Sequence, residues 1–180
     1  MANLKIGDEA LTFSLPNAKD GKEVSYVDYG DKVARAVIFW CNHCPYVQAW
    51  EDRIIQLQKD VADKGIQFIL ISANDAVQYP EDSFDQMKAR AVMKNYPFPY
   101  LYDETQEVAH AYGAERTPEI FLFNQANTLV YHGAPDDNYD QPTAVEKHYF
   151  YDALHALLDG HVPSTPNTDP IGCTVKWKES

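Results

Sequence analysis

Two runs of apolar residues dominate the first half of the chain, and each is followed by apolar residues at helical spacing. Residues 33–40 and 66–71 are almost continuously apolar, as in strands that a sheet buries on both faces. The apolar positions that recur at helical spacing after these runs are Val47, Trp50, Ile54, Leu57 and Val61, then Phe84, Met87 and Ala91. Pro45 suits the first turn of the first helix, and Lys64-Gly65 ends it. The order strand, helix, strand, helix predicts two parallel strands joined by a right-handed crossover.

Two pairs of short extended segments predict antiparallel hairpins. Near the N-terminus, residues 11–15 and 22–27 flank the turn-forming residues 17–21. Later in the chain, the apolar segments 120–123 and 128–131 flank a second polar turn. The second hairpin is expected to close the sheet.

The remaining elements are two helices and a patterned tail. Residues 105–112 predict a short helix closed by Gly113, and a last helix is predicted from about Ala144, with Gly160 past its end. Alternating apolar residues in the tail are Ile171, Cys173, Val175 and Trp177. This alternation is typical of a strand, so we expect the tail to fold back on the domain.

These elements together predict an α/β fold, in which helices flank a central mixed β-sheet with an N-terminal hairpin and a C-terminal tail. A chain of 180 residues is long enough for one sizeable core and short for two. We expect residues 1–162 to form a single domain and residues 163–180 to form a tail docked on it.

Charge and composition narrow the classes of partner. The chain has 15 Lys and Arg residues against 27 Asp and Glu residues, a net charge of -12, which argues against nucleic acid or an anionic membrane surface as the main partner. The first residues resemble no signal peptide, and no apolar run approaches a membrane span. We therefore expect a cytoplasmic protein. Three cysteines are too few for a disulfide framework and favour redox catalysis or metal binding.

The strongest chemical signal is the motif Cys41-Asn42-His43-Cys44-Pro45, which lies between the predicted strand 33–40 and the helix that follows it. Two thiols three positions apart can share one disulfide. The N–H groups at a helix N-terminus carry partial positive charge, which favours a thiolate over a thiol. This arrangement is typical of dithiol/disulfide exchange.

The motif and the order of elements resemble the thioredoxin-like superfamily, specifically its redoxin or TlpA-like branch, which is related to AhpC/TSA proteins. Thr117-Pro118, directly before the apolar segment 119–123, resembles the cis-proline loop of that fold. The resemblance covers most of residues 8–160. It implies that Pro118 lies against the reactive disulfide and that the backbone beside it, at Thr117, pairs with a substrate peptide.

The chain departs from the family pattern at the second cysteine. Aligning Phe39-Trp40 with the family's strand without gaps puts Cys44 at its first cysteine and Val47 at its second. With Pro45 at the first helical position, Cys44 becomes the N-cap, where its sulfur is closest to unpaired N–H groups. We therefore predict that Cys44 is the attacking nucleophile and Cys41 its disulfide partner. The opposite order, in which Cys41 attacks, stays open.

Two further residues are candidates for the same chemistry. His43 is either a neighbour that lowers a thiol pKa or moves a proton, or a surface residue. Cys173 lies in a tail that resembles one carried, together with Cys-Asn-His-Cys-Pro-Tyr-Val, by one line of redoxin-like proteins. It is either a resolving thiol for a Cys44 intermediate or a small apolar side chain under a docked strand.

The expected surroundings of the sulfurs are aromatic and polar. Trp40, Tyr46 and Pro118 are predicted to form an apolar rim for substrate, although the aromatic residues suit the core equally well. Arg116 is a weaker candidate for stabilising a thiolate or binding an anion. Ser72-Ala73-Asn74-Asp75 follows a strand end and either borders the site or forms an ordinary polar turn.

Thiol-disulfide exchange is the function that these observations favour. The substrate would be a protein disulfide or a small thiol, with an external dithiol reductant and with no organic cofactor and no metal. A thiol peroxidase is the nearest rival, but counting back from Cys44 finds Cys41 and Val37 where the peroxiredoxin pattern has Thr and Pro. A peptide-binding module without turnover and a soft metal site that uses Cys41, His43, Cys44 and Cys173 are two further hypotheses.

Overall fold

The computed structural model describes residues 4–179. Residues 1–3 of the expected domain and residue 180 of the expected tail lie outside this range. The strands are β1 (Ser14–Pro16), β2 (Glu23–Ser25), β3 (Ala34–Trp40), β4 (Ile66–Ser72), β5 (Tyr100–Tyr102), β6 (Arg116–Thr117), β7 (Glu119–Asn124), β8 (Leu129–Gly133) and β9 (Cys173–Thr174). The α-helices are α1 (Pro45–Val61), α2 (Phe84–Met93), α3 (Glu107–Tyr112) and α4 (Tyr149–Leu158).

The central sheet has five strands in the order β5-β4-β3-β7-β8. β4 runs parallel to both β3 and β5, whereas β7 runs antiparallel to both β3 and β8. β1 and β2 form a separate antiparallel hairpin. The predicted mixed sheet, its parallel pair and both hairpins are therefore confirmed.

β3 lies in the middle of the sheet and is buried along its whole length. The charge of Arg35 is accommodated there because its guanidinium donates to the carbonyl oxygens of Tyr29 at 3.1 Å and Asn124 at 2.9 Å. It also lies over the ring of Tyr26. A buried cation that is hydrogen-bonded in this way avoids the full cost of losing water. β3 therefore carries the chain to the Cys41 motif at a fixed position.

The two faces of the sheet bury two separate cores. Alternate residues of β3 and β4, such as Ile38 and Leu70, pack against α1, α2 and α4. The intervening residues, such as Phe39 and Ile71, pack against α3 and the segments around the N-terminal hairpin. This division follows from the two-residue period of a strand, which sends neighbouring side chains to opposite faces.

The first helix ends where the sequence predicts. After α1, residues 62–64 form one 3₁₀ turn, and Gly65 follows with a φ of 85°. Most residues avoid this left-handed conformation, but glycine adopts it readily. A Cβ at this position would also lie 3.1 Å from the Val33 side chain. The chain turns there into β4.

The last helix begins later than predicted, at Tyr149 and not near Ala144. Residues 142–144 form a single 3₁₀ turn, and Val145 is extended. The segment after this turn pairs with Asp137, whose carboxylate accepts from Glu146 N at 3.0 Å and whose own N–H donates to Lys147 O. These backbone groups therefore find partners in a loop 9 residues away, and no helix is needed to satisfy them.

Candidate active site

Helix α1 begins at Pro45 and has Cys44 as its N-cap. Cys44 is extended, with φ of -67° and ψ of 126°, while its carbonyl already accepts the first helical hydrogen bond from Gln48 N at 3.0 Å. Proline suits the first helical position because its missing N–H would have no partner there anyway. The backbone N–H of Val47, in the first turn of the helix, helps to lower the pKa of Cys44. The sequence-based placement of Cys44 at the helix N-terminus is confirmed.

Three free thiols meet at this helix end. The thiols of Cys41 and Cys173 both lie close enough to the Cys44 sulfur to shift its pKa. Cys173 reaches this position because β9 pairs antiparallel with β6, which places Cys173 opposite Thr117. Thr117 contacts both of the other cysteines: its carbonyl oxygen lies 3.5 Å from Cys44 Sγ and its hydroxyl 3.5 Å from Cys41 Sγ.

The three thiols have different affinities for their protons. Hydrogen bonds from Cys41, from the Cys173 thiol and from backbone N–H groups lower the pKa of Cys44 from 9.0 to about 4, although burial opposes this shift. The pKa of Cys41 is raised well above 9.0, because its proton is held between two sulfurs, its site is buried and the Asp82 carboxylate is near. Burial and the neighbouring Cys44 raise the pKa of Cys173 to about 11. Of the three thiols, Cys44 therefore loses its proton most readily.

Asp82 is a component of the site that sequence reasoning missed. It ends the 3₁₀ turn Pro80–Asp82 and is completely buried. One carboxylate oxygen accepts from Asn42 N at 2.8 Å, and the other accepts from the Asn74 side chain at 2.9 Å and contacts His43 Nδ1. Nothing in the local pattern distinguishes Asp82 from its neighbours, because Glu81 and the nearby Asp85 are also acidic.

His43 is brought to the Cys41 side of the site. Its ring stacks parallel to that of Tyr79, and its side chain is 27% exposed. Donor atoms of Cys41, His43 and Asp82 all lie within 4.8 Å of one another. A sulfur, an imidazole and a carboxylate are ligands that zinc accepts, but a closed structural site uses four. Both oxygens of Asp82 already accept hydrogen bonds. These residues therefore suit proton transfer better than metal binding.

Trp40 does not line a substrate rim. It is completely buried, and its indole N–H donates to the Tyr96 hydroxyl at 3.1 Å. That hydroxyl donates in turn to Glu51, which also receives two hydrogen bonds from Arg90. The rim placement of Trp40 is wrong, because its one polar atom is satisfied inside the core.

Tyr46 and Arg116 lie beside the tail. The backbone N–H of Tyr46 reaches the sulfur of Cys173, while its ring packs against that of Tyr139 at 4.4 Å. Arg116 is exposed, and its guanidinium donates to the carbonyl oxygen of Gly172 at 3.4 Å. Arg116 therefore contacts the backbone of the tail and not the thiolate for which it was a candidate.

The loop before β7 is held by a second buried acid. The Thr117–Pro118 bond is cis, as the resemblance implies. Glu119 follows it, and one carboxylate oxygen accepts from the backbone N–H groups of Glu115 at 2.7 Å and Arg116 at 3.0 Å. Its other oxygen pairs with His132 Nε2 at 2.7 Å. Glu119 thus fixes the loop that presents Thr117 to the sulfurs, a role that no local sequence pattern indicates.

Residues 6–132 match the AhpC/TSA family model. The chain belongs to the AhpC/TSA family. This match includes both Cys41 and Cys44 and the whole cis-proline loop, but not the tail that carries Cys173. No protein of curated function matches the chain.

Solved structures with the same fold cover nearly all of this AhpC/TSA-family chain. An uncharacterized conserved protein from Geobacillus kaustophilus is 42% identical, over 98% of this chain and 94% of that chain, with a TM-score of 0.93. A hypothetical protein from Sinorhizobium meliloti 1021 is 33% identical, over 99% and 97%, with a TM-score of 0.91. A putative thiol:disulfide interchange protein DsbE from Chlorobium tepidum is 20% identical, over 87% and 99%, with a TM-score of 0.68. The fold is thioredoxin-like.

No helix within residues 4–179 combines the length and apolar character that crossing a bilayer requires.

Proposed function

We propose that this AhpC/TSA-family protein is a thiol-disulfide oxidoreductase whose nucleophile is Cys44. The observation that carries the proposal is the position of Cys44 at the N-terminus of α1, where thiol and N–H donors lower its pKa to about 4. A thiolate is the attacking form in disulfide exchange. The substrate would be a protein disulfide or a small disulfide, and the setting a reducing compartment such as the cytoplasm.

The reaction begins with attack of the Cys44 thiolate on one sulfur of a partner disulfide. A mixed disulfide forms between Cys44 and the partner, and the second partner sulfur leaves as a thiolate. The Cys41 sulfur then attacks Cys44 Sγ, which forms the Cys41–Cys44 disulfide and releases the first partner sulfur. The partner is reduced, the protein is oxidised, and an external dithiol returns it to the starting state.

The second step requires that Cys41 lose its proton. The raised pKa of Cys41 depends first on its hydrogen bond to Cys44, and this bond has no thiolate to receive it once Cys44 is in a mixed disulfide. Asp82 and His43 are the groups beside Cys41 that can then accept the proton. General-base help of this kind contributes about 10²–10⁴ in rate. We assign Asp82, with His43, to this proton transfer.

The test is to trap the mixed disulfide in single-cysteine variants. Reduced wild type, Cys41→Ser, Cys44→Ser and Cys173→Ser are mixed with a model disulfide, and each adduct is located by peptide mass mapping after alkylation. We expect the adduct on Cys44, and we expect it to accumulate when Cys41 is replaced. An adduct on Cys41 that persists in Cys44→Ser would reverse the assignment of nucleophile and resolving thiol.

The same preparations separate exchange from the three competing functions. A thiol peroxidase would lose its reduced thiols to hydrogen peroxide much faster than to a disulfide. A peptide-binding module would show three thiols with the alkylation rates of ordinary cysteines. Stoichiometric metal in protein purified under reducing conditions would favour a metal site at Cys41, His43 and Asp82.

A further inference from the structure

The proposed nucleophile has no access to solvent in this structure. Cys44 is 0% exposed and Cys41 is 1% exposed. Disulfide exchange requires that the partner's sulfur contact the attacking thiolate directly. Cys173 is paired instead with Thr117, whose carbonyl oxygen lies 3.5 Å from Cys44 Sγ. No partner sulfur reaches Cys44 until this part of the tail moves.

The tail fills the open edge of a strand. β6 forms a two-stranded sheet with β9, in which Arg116 is opposite Thr174 and Thr117 is opposite Cys173. The pairing continues at Val175, whose N–H donates to the carbonyl oxygen of Glu115 at 3.0 Å. Without β9, the backbone of β6 would offer unpaired groups directly beside the sulfurs. An open edge of this kind binds extended peptide segments by adding a strand.

We propose that residues 169–174, here called the strap, are an internal occupant of a peptide-binding edge at β6, and that an extended, disulfide-bearing segment of a partner protein displaces them to reach Cys44. The strap delivers a cysteine to Cys44 in the manner that such a partner would. This inference rests on the proposed function, since it concerns access to the same nucleophile. It assigns protein disulfides as the substrate class.

The contact at Gly172 makes the fit of the strap specific. A Cβ at this position would lie 2.0 Å from the carbonyl oxygen of Thr117 and 2.6 Å from its carbonyl carbon. Both are backbone atoms, so no side-chain rotation relieves the overlap. The backbone of the strap therefore approaches the loop at Thr117 more closely than any other residue type allows. A partner segment in the same register needs a glycine immediately before its cysteine.

The strap is held mainly at its two ends. On one side, Pro166 O and Thr168 N bond to the backbone of His132 at 2.9 Å each. On the other, Lys176 N donates to the Asn74 side chain at 2.9 Å, and Lys176 O accepts from Asp75 N at 2.8 Å. None of residues 169–174 is itself buried. The strap can therefore leave β6 while both attachments remain.

The test compares Gly172→Ala with Thr174→Ala. Both substitutions lie in or beside β9, but Thr174 is exposed and its side chain bonds only to that of Lys176. The probe is a short Ile-Gly-Cys-Thr-Val peptide joined through its cysteine to an aryl thiol, and release of the aryl thiol reports attack by Cys44. We expect Gly172→Ala to react at least about tenfold faster than wild type, because the open state is more populated. Thr174→Ala should stay within about twofold.

The peptide sequence supplies a second comparison. An Ile-Ala-Cys-Thr-Val probe should react more slowly than the glycine probe with Gly172→Ala, because alanine meets the same Thr117 carbonyl. Equal rates for Gly172→Ala and Thr174→Ala, with Cys44 still forming the mixed disulfide, would refute the proposal that the strap blocks the site. The exchange function would be unaffected by that result. Absence of any Cys44 adduct in all variants would refute the function itself.

A measurement on a protein with an unaltered strap backbone covers the case in which Gly172→Ala does not fold. The glycine probe is trapped on Cys44 in the double variant Cys41→Ser/Cys173→Ser, and amide hydrogen exchange is recorded before and after trapping. We expect exchange of the amide at position 173, which lies in β9 opposite Thr117, to accelerate on trapping. Unchanged protection there would show that the strap stays in place while the site reacts, and the proposal would fail.

Discussion

Replacing Cys41 by alanine tests why the pKa of Cys44 is lowered. The hydrogen bond from Cys41 is the largest contribution to the lowered pKa of Cys44. Cys41→Ala removes this donor and leaves the Cys173 thiol and the backbone N–H groups of Val47 and Cys173. The pKa of Cys44 should therefore rise.

The size of the rise follows from the strength of the lost bond. A hydrogen bond to a charged group contributes about 1.5–3 kcal/mol, and one pKa unit corresponds to about 1.36 kcal/mol. The pKa of Cys44 should accordingly rise by about 1–2 units from its value of about 4. Cys41→Ser keeps a hydroxyl donor at the same place, so its rise should be smaller.

The assay is a pH titration of the thiolate's ultraviolet absorbance in the reduced protein. Absorbance needs no reagent to reach the sulfur, which matters because Cys44 is buried. The double variant Cys41→Ala/Cys44→Ser supplies the background for Cys41→Ala, because replacing Cys44 alone also removes the largest cause of the raised Cys41 pKa. The reasoning would be refuted by a Cys44 pKa that is unchanged in Cys41→Ala, or by a larger rise in Cys41→Ser than in Cys41→Ala.

Three further predictions concern the proton path, pH and the core. Asp82→Asn should leave the rate of attack by Cys44 within about threefold of wild type but slow the attack of Cys41 on the mixed disulfide by about 10²-fold. Quench-flow mass analysis measures both steps, and equal slowing of both would exclude Asp82 from the proton transfer. Because the folded pKa of Cys44 is lowered to about 4, its thiolate stabilises the reduced fold fully above its ordinary pKa of 9.0, and this contribution is lost as pH falls toward 4. Urea unfolding of reduced wild type and Cys44→Ser should thus diverge as pH rises through this window, and parallel curves would contradict the thiolate. Tyr96→Phe leaves the Trp40 indole N–H without its acceptor and should lower the free energy of unfolding by about 1–3 kcal/mol, while a shifted Cys44 pKa would show that this network also reaches the site.

The parts of the fold that depend on local pattern could be predicted from the sequence. The apolar runs of β3 and β4, the turn between β7 and β8 and the glycine at position 65 each act within a few residues. The start of α4 could not be predicted, because the backbone before it is satisfied by Asp137 in a separate loop. Propensity for a helix is outweighed wherever a loop elsewhere offers the same groups a partner.

The candidate site divides in the same way. Cys44 at a helix N-terminus follows from the strand, the motif and Pro45, all of which are adjacent in the chain. The burial of Trp40 does not follow from the sequence, because an aromatic residue at a strand end can lie at the rim of a site or in the core. The contact with Tyr96, which is distant in the chain, decides between them. Arg116 likewise has a partner, Gly172, that lies 56 residues away.

By itself, the sequence determined the order of strands and helices, the two-thiol motif at the start of α1 and the proline that places Cys44 at its N-cap. Only the tertiary structure decided which groups surround each of the three thiols, that Asp82 lies beside Cys41 and that Cys173 pairs with Thr117 next to the site. The reason is physical: periodicity and capping act between neighbours in the chain, whereas burial and charge depend on groups that folding brings together from distant segments.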